Sequence, residues 1–405
     1  MRIAVVTWSR RKVGGIETYL DLTLPLLAER GHEIALWHEK DVPANRDLIW
    51  LPGNAKEWCV GDLGAGGALR NLREWKPDLI YSHGLIESEL EAAIPEIAPA
   101  VFFLHQYHGT CISGGKTWKW PRVTPCDRQF GWPCILHYYP HRCGGWHPLT
   151  MLEMFASQSR RLDALRGYRA LATHTEHMRK EYIQHGFESE RVFKIPFPVR
   201  NFSEGDASYP ASIVSDSEPS KLLFLGRMDY LKGGTVLMEA VRAASAQLGR
   251  PLSLTFGGDG PERQTWEAAA AEVGTTNPDV DISFTGWVES SELSRVYSDA
   301  DLLVLPSLWP EPFGMVGIEA GYFGLPSVAF DVGGISEWLH DGRNGRLARG
   351  DPPSATGLAE AIVDCLRDRS EYQRLSEGAH EVAQHFTPSR HIDALTDLFN
   401  QTAAK

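Results

Sequence analysis

The sequence predicts an α/β protein built from two doubly wound parallel sheets, and three observations carry that prediction. Short apolar runs of strand length alternate with helical segments through most of the chain, as expected for parallel strands buried on both faces. Paired glycines follow several of those runs and precede helices, at Gly14-Gly15, Gly233-Gly234, Gly257-Gly258 and Gly333-Gly334. Between the two series, residues 196–220 shift to Pro, Ser, Asp and Glu without periodicity, which predicts a linker. A chain of 405 residues with 43% hydrophobic and 23% charged content is long enough for two domains, each with its own core.

Residues 2–7 predict an inner strand. Residues 16–30 carry apolar side chains at helical spacing and stop at Gly31. Between them Gly14 and Gly15 let backbone approach a phosphate or sugar at the helix N-terminus, although a glycine pair equally makes a plain tight turn and the full dinucleotide fingerprint is absent. Residues 33–37, 78–82 and 100–104 continue the strands. His83 and His105 each follow one, and ligands of open parallel sheets bind beyond the strand carboxyl ends, so both are candidates against the reading of an ordinary loop histidine.

Residues 107–147 break the alternation with Trp118, Trp120, Phe130, Trp132, Tyr138, Tyr139 and Trp146, and with four of the six cysteines. This predicts an inserted segment, either an acceptor-binding lid or a self-packed cover of the sheet edge. Cys111, Cys126, Cys134 and Cys143 are expected to form one unit. A structural zinc, two disulfides and free packed thiols are the three states open to them; the absence of C-x2-4-C pairs weakens the first, although nearby histidines offer substitute ligands. Residues 149–169 predict a helix carrying Arg160, Arg161, Arg166 and Arg169, a basic face suited to phosphorylated or lipid-linked acceptors at a membrane surface, or simply a solvated face.

The second series begins with the run 221–225. Arg227 and Lys232 follow it and precede a helix, where dipole and side-chain charge both favour a diphosphate, although an isolated Arg and Lys pair also reads as plain surface charge. Runs at 252–256, 282–285, 301–305 and 327–330 complete that sheet. After 301–305, Pro310 and Pro312 hold a loop extended, so that Glu311 stands just before a helix over 314–323 whose first N–H groups lack partners, and Glu319 falls in its second turn. Two carboxylates can therefore serve one ligand from loop and helix. Pro388 marks the start of a last helix running to 404.

The stretch Glu311-Pro-Phe-Gly-Met-Val-Gly-Ile-Glu319-Ala320 resembles the Glu, seven residues, Glu signature of retaining glycosyltransferases of the glycogen synthase and mannosyltransferase type, family 4-like and group 1. The resemblance implies a GT-B fold, two Rossmann-like domains facing each other across a cleft. It implies an acceptor-side domain over residues 1–200, a nucleotide-sugar domain over 221–386, and a helix over 387–405 that crosses back to the first. It assigns Glu311 to the transferred sugar and Glu319 to the ribose. Arg227 and Lys232 match its G-R…K-G diphosphate contacts, Gly14-Gly15-Ile16-Glu17 its N-terminal G-G-x-E loop, and His105 the histidine near the sugar. Gly258, Phe313, Gly314, Met315 and Val316 take donor-binding places.

The activity so implied is metal-independent transfer of a sugar, with retention, from a UDP- or GDP-sugar to a hydroxyl acceptor in glycan, glycolipid or glycoconjugate synthesis. The competing readings are a nucleotide-sugar epimerase of the same fold and a non-catalytic sugar-nucleotide-binding protein. The net charge of −12 opposes broad attachment to nucleic acid or anionic lipid, while a local basic patch can still act within a Debye length. No run of about 18 apolar residues occurs, and residues 1–7 move straight into a strand pattern without a signal-peptide cleavage region. A cytoplasmic protein, with contact to the membrane at most peripheral, is expected.

Overall fold

The computed structural model describes residues 1–42, 46–200, 202 and 219–404; most of the expected linker lies outside them. The chain divides into two compact units, one of residues 1–116, 127–198 and 388–405, the other of 117–126 and 199–387.

In the first unit β1 (Arg2–Ser9), β2 (Glu33–Lys40), β3 (Lys56–Cys59), β4 (Leu79–Ser82) and β5 (Ala100–Phe103) alternate with α1 (Gly15–Glu29), α2 (Val60–Trp75) and α3 (Ser88–Ala93). After a two-strand antiparallel pair, β6 (Thr117–Trp118) and β7 (Thr124–Pro125), which groups with the second unit, come α4 (Pro133–Tyr138), α5 (Pro148–Leu165), β8 (Ala170–Thr173), α6 (Glu176–Gln184) and β9 (Val192–Lys194). The sheet order is β3-β2-β1-β4-β5-β8-β9, and its strand pairs are parallel. Ile3, Ala4, Val5 and Val6 are fully buried, which explains the unbroken apolar run. Strand order reverses beside β1, the switch point where such sheets bind ligands.

The second unit repeats the design with β10 (Ser220–Leu225), α7 (Gly234–Leu248), β11 (Leu252–Gly257), α8 (Arg263–Thr276), β12 (Val280–Gly286), α9 (Leu293–Ser298), β13 (Leu302–Leu305), α10 (Met315–Tyr322), β14 (Ser327–Phe330), β15 (Gly345–Ala348), α11 (Ala355–Leu366) and α12 (Arg369–Ala383). Its order is β12-β11-β10-β13-β14-β15, again parallel. The expected pair of doubly wound sheets is therefore present. The last helix, α13 (Pro388–Ala403), belongs to the first unit, where it buries Ile392, Leu395 and Phe399 against α1, β4 and β5. His391 of α13 bonds through Nδ1 to the Pro196 carbonyl at 2.7 Å, and through Nε2 to the Tyr19 hydroxyl at 2.9 Å.

The inserted segment packs on itself. Ile112, Tyr138 and Met151 form a small core with Phe130, Ile135 and Phe155 against it. Lys116, 2% exposed, pairs with Glu181 of α6 at 2.7 Å and donates to the Arg128 carbonyl at 2.5 Å, so one buried cation fastens the segment to α6. Of the three states open to Cys111, Cys126, Cys134 and Cys143, the structure contains no disulfide, and among the described residues no three His, Cys, Asp or Glu side chains come together as metal ligands. Cys111 Sγ instead faces Ser113 Oγ and accepts from the Lys116 N–H, while Cys134 and Cys143 pack against the small core. The helix expected over 149–169 is shorter than its predicted span. α5 ends at Leu165, Arg160 and Arg161 are spent on Ser88 Oγ and on the Leu85 and Ile86 carbonyls, and Arg169 bonds to the Thr402 carbonyl.

Close backbone approach at the carboxyl ends of the second sheet demands glycine. Gly233 has φ +72, and a Cβ there would lie 2.0 Å from the Pro306 oxygen; at Gly258 (φ +127) it would lie 2.0 Å from the Gly226 oxygen. Gly249 shares the left-handed backbone, at φ +65, with nothing within 4 Å. Gly233→Ala is therefore expected to destabilise by several kcal/mol and Gly249→Ala by about 1 kcal/mol. Equal shifts of the urea midpoint in the two variants would contradict the contact at Pro306.

Candidate active site

In the second unit the site grows from the end of β13. Prolines at 310 and 312 prevent the strand from continuing, and Glu311 in the resulting loop is 4% exposed. A buried carboxylate is costly unless donors surround it. Here its Oε1 accepts from Ser307 Oγ at 2.5 Å, from Trp309 Nε1 at 2.9 Å and from Lys232 Nζ. Lys232 closes the 3-10 turn Tyr230–Lys232 after β10, and its ammonium stands 5.4 Å from the Trp309 ring centroid. Glu311 Oε2 takes no bond from the described residues and remains available to a ligand hydroxyl. Gly333 (φ +63) crosses the Glu311 backbone so closely that a Cβ would sit 2.4 Å from its oxygen.

Gly314 (φ +87) turns the chain into α10, whose start has no side-chain cap. The first N–H groups of that helix, around Met315 and Val316, are thus left for an external acceptor. Trp338 steadies this turn: its Nε1 donates to the Phe313 carbonyl at 2.7 Å, and its ring packs on Gly317. Glu319, 7% exposed, accepts from the Tyr297 hydroxyl at 2.8 Å and lies 3.5 Å from Arg200 Nε. Burial and the charge of Glu319 push the Tyr297 hydroxyl well above the usual phenol range, which keeps it a donor. Arg227 is exposed just past β10 and reaches no partner among the described residues. Arg227, Lys232, Gly258 and Glu311 therefore stand beyond the carboxyl ends of neighbouring strands β10, β11 and β13, with Lys232 and Glu311 in direct contact.

In the first unit Gly14 is the N-cap of α1, and both Gly14 and Gly15 are exposed. The carboxylate of Glu17, 2% exposed, accepts from Trp8 Nε1 at 2.7 Å, and backbone N–H groups at Val13 and Gly14 offset part of its burial cost. His105 follows β5 and its Nε2 meets Nδ1 of His83 at 2.9 Å. Both line a cavity of about 360 Å³ with Trp8, Ile16, Gln158 and Arg161. A larger surface hollow of about 490 Å³, bordered by Ser88, Glu96, Arg160 and Asp163, holds none of the expected site residues.

Sequence reasoning missed Ser307, Trp309, Tyr297 and Arg200 as supports of the two glutamates, and the imidazole cluster around Tyr19. That ring lies 5.7 Å from His83, 5.1 Å from His105, and 5.4 Å from each of His174 and His391, centroid to centroid. Burial, aided by the neighbouring imidazoles, pushes His83 and His174 well below the usual range and His105 down to about 3; burial alone pushes His391 to about 4.

Residues 207–382 match the family Glycosyl transferases group 1, and residues 13–200 match Glycosyltransferase Family 4. The chain is 26% identical to the glycogen synthase of Mycobacterium tuberculosis (strain ATCC 25618 / H37Rv), over 94% of this chain and 90% of that one. It is 25% identical to the D-inositol 3-phosphate glycosyltransferase of Paenarthrobacter aurescens (strain TC1), over 90% and 88% of the two chains. The fold is shared with HepE of Anabaena, solved in complex with UDP and glucose, at a TM-score of 0.67 and 19% identity over 99% of both chains.

The imidazole cluster gives a pH dependence of stability with a definite sign. Each ring is held neutral in the fold but binds a proton in the unfolded chain below about pH 6.5. The stability it contributes is complete above that pH and falls as pH drops toward 4, by up to about 1.4 kcal/mol per pH unit per ring. His391→Gln should therefore lose less stability than the parent between pH 7 and pH 5 in urea titrations. Parallel losses would show that His391 is not held neutral.

Proposed function

The chain belongs to the group 1 glycosyl transferases, with a first half of Glycosyltransferase Family 4, and from that membership we propose that it moves a sugar, with retention, from a nucleoside-diphosphate sugar to a hydroxyl acceptor. The observation that carries the proposal is the Glu311 carboxylate, held on one oxygen by Lys232, Ser307 and Trp309 with the other oxygen left open. UDP, the nucleotide in the HepE complex, is placed ahead of GDP.

In this reading Arg227 and Lys232 meet the diphosphate, assisted by the N–H groups from Phe313 to Val316 and by the backbone at Gly258. As the anomeric C–O bond breaks, its electron pair leaves on the phosphate oxygen. Fixed cations stabilise the new charge without reorganisation and without need of a metal there. Lys232, paired with Glu311 when no donor is bound, turns toward the phosphate. Glu311 Oε2 accepts from a hydroxyl of the sugar and Glu319 from the ribose. The acceptor oxygen attacks the face the phosphate leaves, and its proton passes to the departing phosphate oxygen. In the first unit, His105 is assigned to a sugar hydroxyl and Gly14-Gly15 to a phosphate.

Two sets of variants test these roles. Arg227→Ala or Lys232→Ala should lower kcat by about a hundredfold or more with circular dichroism unchanged; wild-type turnover would sink the diphosphate assignment. Glu319→Ala should weaken binding of free UDP by calorimetry, whereas Glu311→Ala should leave that affinity nearly intact and impair transfer. Equal loss of UDP affinity in both would reject the division between ribose and sugar.

A further inference from the structure

The inserted segment carries a surface that the transfer chemistry does not use. Its small core consumes Tyr138, Ile135 and Met151, yet Trp132 (69%), Leu136 (61%), Trp146 (70%), Leu149 (63%) and Leu152 (48%) are left exposed. These side chains are linked in space through short steps. Trp132 and Leu136 are one helical turn apart at α4. Trp146 stacks on Tyr139 at the end of α4, with ring centroids 6.0 Å apart and an interplanar angle of 12°. Leu149 and Leu152 follow on one face of α5, the helix against which α4 packs. A contiguous display of large apolar groups on a monomer marks a contact surface.

Between Asp127 and Glu153, which flank it, its charge is opposite to that of the chain. From Arg128 to Leu152 the sequence contains no Asp or Glu, while Arg128, Arg142, His137, His141 and His147 lie within it; the whole chain carries −12. The Arg142 guanidinium lies 6.0 Å from the Trp146 ring centroid. α5 begins in the same place with His147 as N-cap, no side-chain cap and no acidic residue in its first turn, so the positive end of an 18-residue helix opens beside Trp146 and Leu149.

We propose that this surface docks on an anionic lipid bilayer, with Trp132 and Trp146 at the headgroup level and the leucines in the acyl boundary. Indole rings favour that interface, and arginines with a helix N-terminus match its phosphates. A second copy of the chain fits less well. A two-fold contact would set this basic patch against itself. An acidic protein would satisfy the charge, but two exposed indoles beside exposed leucines match a bilayer interface more closely. Nor is the contact made by the arginines along α5, since Arg160 and Arg161 bond within the fold. Among the described residues no helix is long and apolar enough to cross a membrane.

The test is flotation of the full chain with vesicles of phosphatidylcholine alone and with about one-third phosphatidylglycerol. Binding at least about tenfold stronger to the anionic vesicles, weakened by salt and lost by about tenfold in Trp132→Ser/Trp146→Ser, supports the proposal. Blue-shifted tryptophan emission on binding, absent from the double variant, supports insertion. No flotation with either vesicle overturns it, as does equal binding of parent and variant. Concentration-dependent dimerisation in light scattering that the double variant abolishes would also overturn it, in favour of a second copy. Donor hydrolysis measured without vesicles should be the same in both proteins, which keeps this result separate from the transfer reading.

Discussion

The second unit is organised by one buried carboxylate. Glu311 sits where β13 gives way to a loop, almost without solvent, and is tolerated there because three donors meet its Oε1. Those donors come from three places in the chain, the turn after β10, the end of β13 and the loop itself. Fixing the carboxylate therefore fixes the geometry of two strand ends. The backbone contacts agree with this: Gly233 lies against Pro306, and Gly333 against Glu311, each too tightly for a side chain. Removing a single donor would leave a charge in a dry site, which is why the arrangement is cooperative.

Much of this was legible in the sequence because parallel sheets write themselves as apolar runs. Residues 327–330 form a strand over their whole predicted span, and the last helix starts at Pro388. β3 was not legible: Lys56, Glu57, Trp58 and Cys59 form an edge strand of which no side chain is fully buried, and its composition carries no strand signal. α5 was expected to run to 169 but stops at Leu165, with Arg166 as its C-cap.

The candidate site was legible as residues but not as bonds. Glu311 and Glu319 are visible as a spaced pair, whereas Tyr297 and Arg200, which hold Glu319, are distant in sequence and carry no local signal. The same applies to the imidazoles around Tyr19, gathered from the ends of β4, β5 and β8 and from the last helix. The cysteine cluster could be read from the sequence but its state could not: Cys134 and Cys143 pack against the segment's aromatic core without a disulfide, which no spacing signals. Arg160 and Arg161 of α5 likewise carried no signal of the carbonyls and serine to which they donate.

The proposed retention requires the phosphate to depart and the acceptor oxygen to arrive on one face of the sugar, so the stereochemistry of transfer is the most direct measure of the account. Proton NMR of the sugar first released by slow donor hydrolysis, recorded before mutarotation, reads that stereochemistry without knowledge of the acceptor. The account predicts an anomer of the same configuration as the donor. An inverted anomer would contradict it.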